Sequence, residues 1–308
     1  MLRDSAITGF TIDGDAERLV TTLFADDTTV YLSQEDEFSY LMEILKTWCR
    51  TSGAKFNENK TILIPVGSKE YRTDLIRSRK MTDDGEEIPA ECEITEDGKP
   101  VRVLGAFVGN EVLDLEVWAP TLEKIDQRLH QWAKSHPTQD GRCIIINIVV
   151  GGLTQYLTRV QGMSKEVEEK IIKKIRTFMW DGKSAMVSLE VMYGDIADGG
   201  KRLLDLKSRN EAIELIKLRT YLNEPKKRPR WASIADELIA RTSALSQGVS
   251  DELKVNTFLQ SWTAYTTARS ALPAGLRKML SVAAKHNVTI DPPLVAKEVR
   301  RAMPAWYH

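Results

Sequence analysis

The chain has 308 residues, 42% of them hydrophobic and 28% charged, and a formal net charge of -1, the profile expected of a soluble globular protein with two domains or one large core and an appendage. A charge so close to zero excludes a global field as the means of holding nucleic acid, so any such grip has to come from local basic patches. The three cysteines, Cys49, Cys92 and Cys143, are too few and too far apart for a zinc site or a disulfide framework and suit a reducing compartment. No signal peptide is read at the start, and the apolar run 144–150 is too short to span a bilayer. A nuclear or cytoplasmic location without membrane attachment is expected.

In chain order, residues 7–12, the dipeptide Asp13-Gly14 and the return toward Leu19 read as a strand pair. Two apolar runs, 20–24 and 28–32, then flank an acidic corner at Asp26-Asp27, the pattern of an antiparallel hairpin with both aspartates at its tip. Two carboxylates ~5 Å apart at an effective dielectric of ~20 repel by roughly 3 kcal/mol. Water or a bound cation has to relieve that, and the apolar flanks are expected to bury the hairpin and hold its tip in place. Ser33 should open a helix with Glu35, Asp36 and Glu37 in its first turn. Its apolar stripe is Phe38, Leu41, Met42, Leu45, Trp48 and Cys49, and Gly53 ends it. Residues 52–65 turn into a strand. Residues 68–100 are polar, and their acidic centre, 83–87, reads as a solvated loop. Residues 101–109 form a strand expected to pair with 91–95 across Asp97-Gly98.

Beyond this point the pattern is helical. Trp118, Leu122, Ile125, Leu129 and Trp132 recur at helical spacing with Pro120 placed in the first turn, and His136-Pro137 stops the helix. Residues 144–156 favour a strand by β-branching and a helix by length, and are read as helix. Ser164 opens a further helix that buries Val167, Ile171, Ile175, Phe178 and Met179 and leaves Lys165, Lys170, Lys173, Lys174 and Arg176 outside. After Trp180-Asp181-Gly182-Lys183 and the Gly199-Gly200 turn comes a helix over 206–222, then the basic run 226–231. Residues 232–308 suggest three or four amphipathic helices, one with Val255, Phe258, Leu259 and Trp262, another with Leu276, Met279, Leu280 and Ala283. They are broken at Pro273 and Pro292-Pro293. His130, His136, His286 and His308 have no ligand spacing.

Phe24-Ala25-Asp26-Asp27 on its hairpin resembles the [FY]-x-Asp-Asp motif of reverse transcriptases of non-LTR retrotransposons. Gly53 to Thr61 resembles the family's next motif, Gly-x-x-x-Asn-x-x-Lys-Thr, with Asn57 and Lys60 at the matching positions. Leu104-Gly105 resembles the primer-grip hairpin, where a glycine admits the primer backbone. The ordered motifs span residues 5 to 110, and the helices that follow, with their Trp-x-Gly-Lys ending, resemble the thumb. The resemblance implies an α+β fold. Residues 1–115 would be a partial polymerase palm, an antiparallel sheet with packed helices; 116–225 would be an all-α thumb-like region, and 226–308 a helical extension.

The same resemblance implies roles. Asp26 and Asp27 would be ligands of Mg²⁺, or Mn²⁺, in two-metal nucleotidyl transfer, and Lys60 a general acid toward pyrophosphate. Phe24, Ala25, Asn57, Leu104 and Gly105 would lie at the nucleotide and primer, and Lys170, Lys173, Lys174 and Arg176 along the nucleic-acid backbone. An RNA template, a DNA primer and a deoxynucleotide would be the partners. The family's third aspartate, on an upstream strand, has no counterpart among Asp4, Asp13, Asp15 and Glu17, so the chain is expected to begin after the template-positioning helix. Two function classes follow: a polymerase portion completed by a carboxylate from elsewhere, or a catalytically inactive remnant that binds nucleic acid or a protein.

Overall fold

The computed structural model describes residues 1–11, 18–57, 60–223, 227–243, 250, 253–267, 269–289 and 297–303. The chain divides into two compact units, Met1–Val101 with Val108–Val112, and Arg102–Phe107 with Leu113–His308. Residues 116–225 and 226–308 both fall in the second unit.

In the first unit, β1 (Thr21–Phe24) and β2 (Asp27–Val30) form an antiparallel hairpin in which Phe24 faces Asp27. Phe10 and Leu19 form an antiparallel bridge beside it, and Asp13-Gly14 lies outside the described residues. Helix α1 (Phe38–Ser52) buries Phe38 and Leu41 against Ile7, Val20, Leu75, Ile88 and Cys92. It ends where Gly53, at φ 73°, donates its N–H to Cys49. The helix begins five residues later than expected, because Asp36 is not part of it. Strand β3 (Ile62–Leu63) pairs with β4 (Glu93–Ile94) in parallel. Parallel strands need a crossover, and helix α2 (Lys69–Ser78) lies between them in the chain, capped by the Ser68 hydroxyl on Tyr71 N–H.

The expected pairing of 101–109 with 91–95 does not form. Strand β5 (Val101–Val103) pairs with β6 (Ala106–Val108) across Leu104-Gly105. The expected single antiparallel sheet is therefore replaced, among the described residues, by three two-stranded sheets, one of them parallel. The α+β mixture stands.

The second unit is built on helix α3 (Asp114–Ala133), α4 (Gln139–Gln161), α5 (Lys165–Met179), α6 (Leu189–Tyr193) and α7 (Leu206–Tyr221). Pro120 lies inside α3, seven residues in, and not in its first turn. Trp118, Ile125, Ile146, Val150, Val167, Ile171, Ile175 and Leu206 are fully buried. Helix α4 settles the 144–156 ambiguity in favour of length. At 23 residues it is long and apolar enough to cross a membrane by length and composition. It nonetheless buries Arg142, whose guanidinium bonds the carbonyls of Pro137 and Phe178 and pairs with Asp181.

Helices α8 (Trp231–Arg241), α9 (Ala274–Lys285) and α10 (Lys297–Ala302) follow. Tyr221, Ile239, Trp262, Met279 and their neighbours make a further core. Pro273 immediately precedes α9, with no side-chain cap hydrogen bond. The helix expected around 255–262 is absent: the described residues 253–267 hold no α-helix, and Ala264 forms an antiparallel bridge with Ser243. Pro292-Pro293 and Lys226 lie outside the described residues.

Candidate active-site hairpin and nucleic-acid surface

The β1–β2 connection has two residues, Ala25 and Asp26. Ala25 has φ 53°, the sole positive φ of the pair, as at the first central position of a type II′ turn, where glycine is usual. The alanine holds a conformation about 1 kcal/mol less favourable than an ordinary one. Asp26 and Asp27 are both exposed. The apolar flanks do not bury the tip: Leu23 is 64% and Phe24 65% exposed. Rigidity comes from below, where Val20 is buried, the Thr21 hydroxyl donates to the Thr29 carbonyl at 3.0 Å, and Phe10 packs on Tyr31.

The residue that ties down this hairpin is Asp36. Its carboxylate is 7% exposed and accepts from the N–H of Thr8 at 2.6 Å, of Gly9 at 2.9 Å and of Ser33 at 2.7 Å, and from the Ser33 hydroxyl. One side chain thus joins the segment entering the hairpin to the segment leaving it. Burial pushes its pKa up, and the four hydrogen bonds more than offset that, leaving the carboxyl below its ordinary value. Gly9 is obligatory beside it, since φ is +63° and a Cβ would lie 2.5 Å from the Leu19 carbonyl oxygen.

Lys60 and Asn57 share a turn, Lys60 N–H donating to the Asn57 carbonyl at 3.0 Å, and both side chains are exposed. The charge-dense stretch after them is organised by two arginines to which no spacing points. Arg72 forks onto Asp97 at 2.8 and 2.7 Å and reaches the Gly67 carbonyl and Glu111. Arg79 donates to the carbonyls of Ile88, Pro89 and Cys92. The acidic run 83–87 takes no part in these contacts.

In the second unit, Leu104 and Gly105 have φ 49° and 82°, both positive, as a type I′ turn requires. The space where a Gly105 Cβ would sit is taken by the Tyr156 ring at 3.0 Å, so the glycine is needed by the protein itself at this place. Of the four cations expected along nucleic acid, Lys170, Lys173 and Lys174 line one open groove between α3 and α5, with Asp126, His130 and Phe178. Arg176 points elsewhere and lines a separate pocket with Trp180, Lys183 and Glu190. Lys174 is paired with Asp126 and Lys170 with Glu166. Lys173 meets no carboxylate at ion-pair distance among the described residues.

The donor set bears on metal binding. Among the described residues no group of three or more His, Cys, Asp or Glu side chains could hold an ion. Two adjacent exposed carboxylates suit Mg²⁺ held jointly with substrate phosphates. A pair of ions needs at least one further ligand from outside these residues.

No family model matches the chain. Over 232 residues it is 22% identical to the transposon TX1 uncharacterized 149 kDa protein of Xenopus laevis, a match that covers 74% of this chain. It spans about 17% of that protein's length. The chain is therefore similar, at a distance, to a transposon-borne protein.

Proposed function

We propose that this chain is the palm and thumb portion of a non-LTR retrotransposon reverse transcriptase, and that Asp26 and Asp27 are its share of the magnesium ligands for RNA-directed DNA synthesis. The observation that carries the reading is the presentation of the two aspartates, exposed and adjacent, on a tight antiparallel hairpin whose flanking segments, at Thr8-Gly9 and Ser33, Asp36 ties together. The similarity to a transposon protein supports the ancestry.

Mg²⁺, when bound, would activate the primer 3′-hydroxyl and neutralise charge on the departing pyrophosphate. The chain's own residues would do the rest. Asp26 and Asp27 hold negative charge at a fixed point, and Lys60 Nζ, on its exposed turn, offers a proton to the leaving oxygen. Lys170, Lys173 and Lys174 follow the phosphate backbone along the α3–α5 groove, and Arg176 meets it on another face. The second reading, a catalytically inactive remnant that binds nucleic acid or a protein partner, is favoured by one observation: among the described residues no third carboxylate joins the pair.

Primer extension on an RNA template separates the two. The first reading expects Mg²⁺-dependent extension by the chain, alone or mixed with a polypeptide supplying the missing carboxylate, and its abolition by Asp26→Ala. No extension under either condition, together with salt-sensitive binding of the primed template, selects the remnant.

A further inference from the structure

Helix α4 commits two polar side chains to a single turn of the chain. Tyr156 donates its hydroxyl proton to the Leu104 carbonyl at 2.5 Å, and its ring edge fills the space left by the absent Gly105 side chain. Five residues further on, Gln161 Oε1 accepts the Phe107 N–H at 3.0 Å. The three contacts bracket the β5–β6 turn from its first central residue to the strand that leaves it. Tyr156 is 53% exposed, so its hydroxyl is not there to satisfy a buried core. Leu104, forced to φ 49°, needs such support, because a non-glycine residue at positive φ persists only where its surroundings over-determine it.

We infer that Tyr156 and Gln161 are positioning residues that fix the Leu104-Gly105 turn on α4 so that its backbone supports a primer end. This rests on the function proposed above and on the resemblance of Leu104-Gly105 to a turn that lies against the primer. Neither residue touches the reacting atoms. Each acts through the turn it holds, Tyr156 through a carbonyl and Gln161 through an amide. Loss of either contact should free the turn without unfolding α4, since neither side chain is among its buried residues.

The test uses the full chain and two probes, a DNA primer annealed to an RNA template with a recessed 3′ end, and the same RNA unprimed. Tyr156→Phe and Gln161→Leu should each weaken binding of the primed probe by about three- to tenfold, the scale of one lost hydrogen bond, with the unprimed RNA unaffected. Gln161→Glu keeps the acceptor oxygen and should bind as the wild type does. Amide exchange at Phe107 should accelerate in Gln161→Leu and stay slow in Gln161→Glu. If the wild type prefers the primed probe and all variants match it, or if Phe107 exchange is the same throughout, the positioning role is overturned and the primer-side reading survives. If the wild type itself does not distinguish the probes, the primer-side reading is overturned and takes this role with it.

Discussion

The two units are held together by different physics. The first has short strands, one long helix and a modest apolar core, and its geometry is fixed by polar clamps: Asp36 on three backbone amides, Arg72 on Asp97, Arg79 on three carbonyls. The second is built of apolar stripes that bury side chains such as Trp118 and Ile146 completely. Where the core is thin, each polar contact carries a larger share of the order. The difference places the expected functional corner on a scaffold sensitive to pH and single charge changes, and the expected nucleic-acid surface on one sensitive mainly to lost volume.

Substitutions at four positions sharpen that contrast, from the largest effect down. Trp118→Ala should cost about 3–5 kcal/mol, the range for emptying a packed aromatic site, with the melting of helical signal in the second unit as readout. Trp118→Phe should cost far less, because the buried indole N–H it removes has no acceptor. Asp36→Asn should cost about 1–3 kcal/mol and accelerate amide exchange at Thr8 and Gly9 while leaving α5 and α7 protected. Because the Asp36 pKa is depressed, its contribution is present above the ordinary carboxylate range and disappears as pH falls through the folded value. Urea melts across the acid range should show the first unit weakening in wild type and losing that dependence in Asp36→Asn.

Glu214 has the opposite sign. It is 3% exposed with one carboxylate oxygen unpartnered, and burial raises its pKa against the smaller pull of Lys217 and Lys278. Its stabilising, protonated form is fully present below the unfolded value and is lost as pH rises through the folded one. Glu214→Gln should therefore raise the melting temperature of the second unit by a few degrees near neutrality, and the gain should vanish in acid. The smallest effect belongs to the motif itself. Ala25→Gly should relax the positive φ and stabilise the hairpin by about 1 kcal/mol, seen as slower exchange at the Asp27 and Thr29 amides, which face Phe24 and Thr22 in the ladder. No change there would mean that the turn is unstrained.

How much of this was legible depended on whether order is local. Helices α1 and α5 announce themselves, since Phe38 and Leu41, or Val167, Ile171 and Ile175, repeat on one face. In α4 the length of the run outweighed β-branching. The Asp-Asp hairpin was visible from its flanks, but its exposure was not, because apolar strands bury only if another layer covers them. The clamps were hidden for a different reason: Arg72 and Asp97 lie 25 residues apart, and nothing in a linear pattern joins them. Helix α2 went unread in a polar stretch because its signal was a single serine cap.

The β5–β6 turn was masked by Leu104, a residue that rarely takes positive φ, while Asp97-Gly98 offered the more familiar turn signal. Gly98 does turn, at φ 85°, but its N–H goes to Asn110 and not into a hairpin with 91–95. Around 255–262 the apolar spacing suggested a helix, and local side chains won. Gln260 accepts the backbone N–H of Val255 and Asn256, and the Asn256 side chain accepts that of Phe258, an alternative to helical bonding.

The claim on which the account turns is that Asp26 and Asp27 share a divalent cation with a primed nucleic acid. Manganese binding, followed by electron paramagnetic resonance on the full chain with primed RNA template and a deoxynucleotide, tests it most directly. The account predicts bound Mn²⁺ that Mg²⁺ displaces and that both Asp26→Asn and Asp27→Asn abolish. Equal binding by the wild type and both variants, or none by any of them even with a complementing polypeptide present, would contradict it.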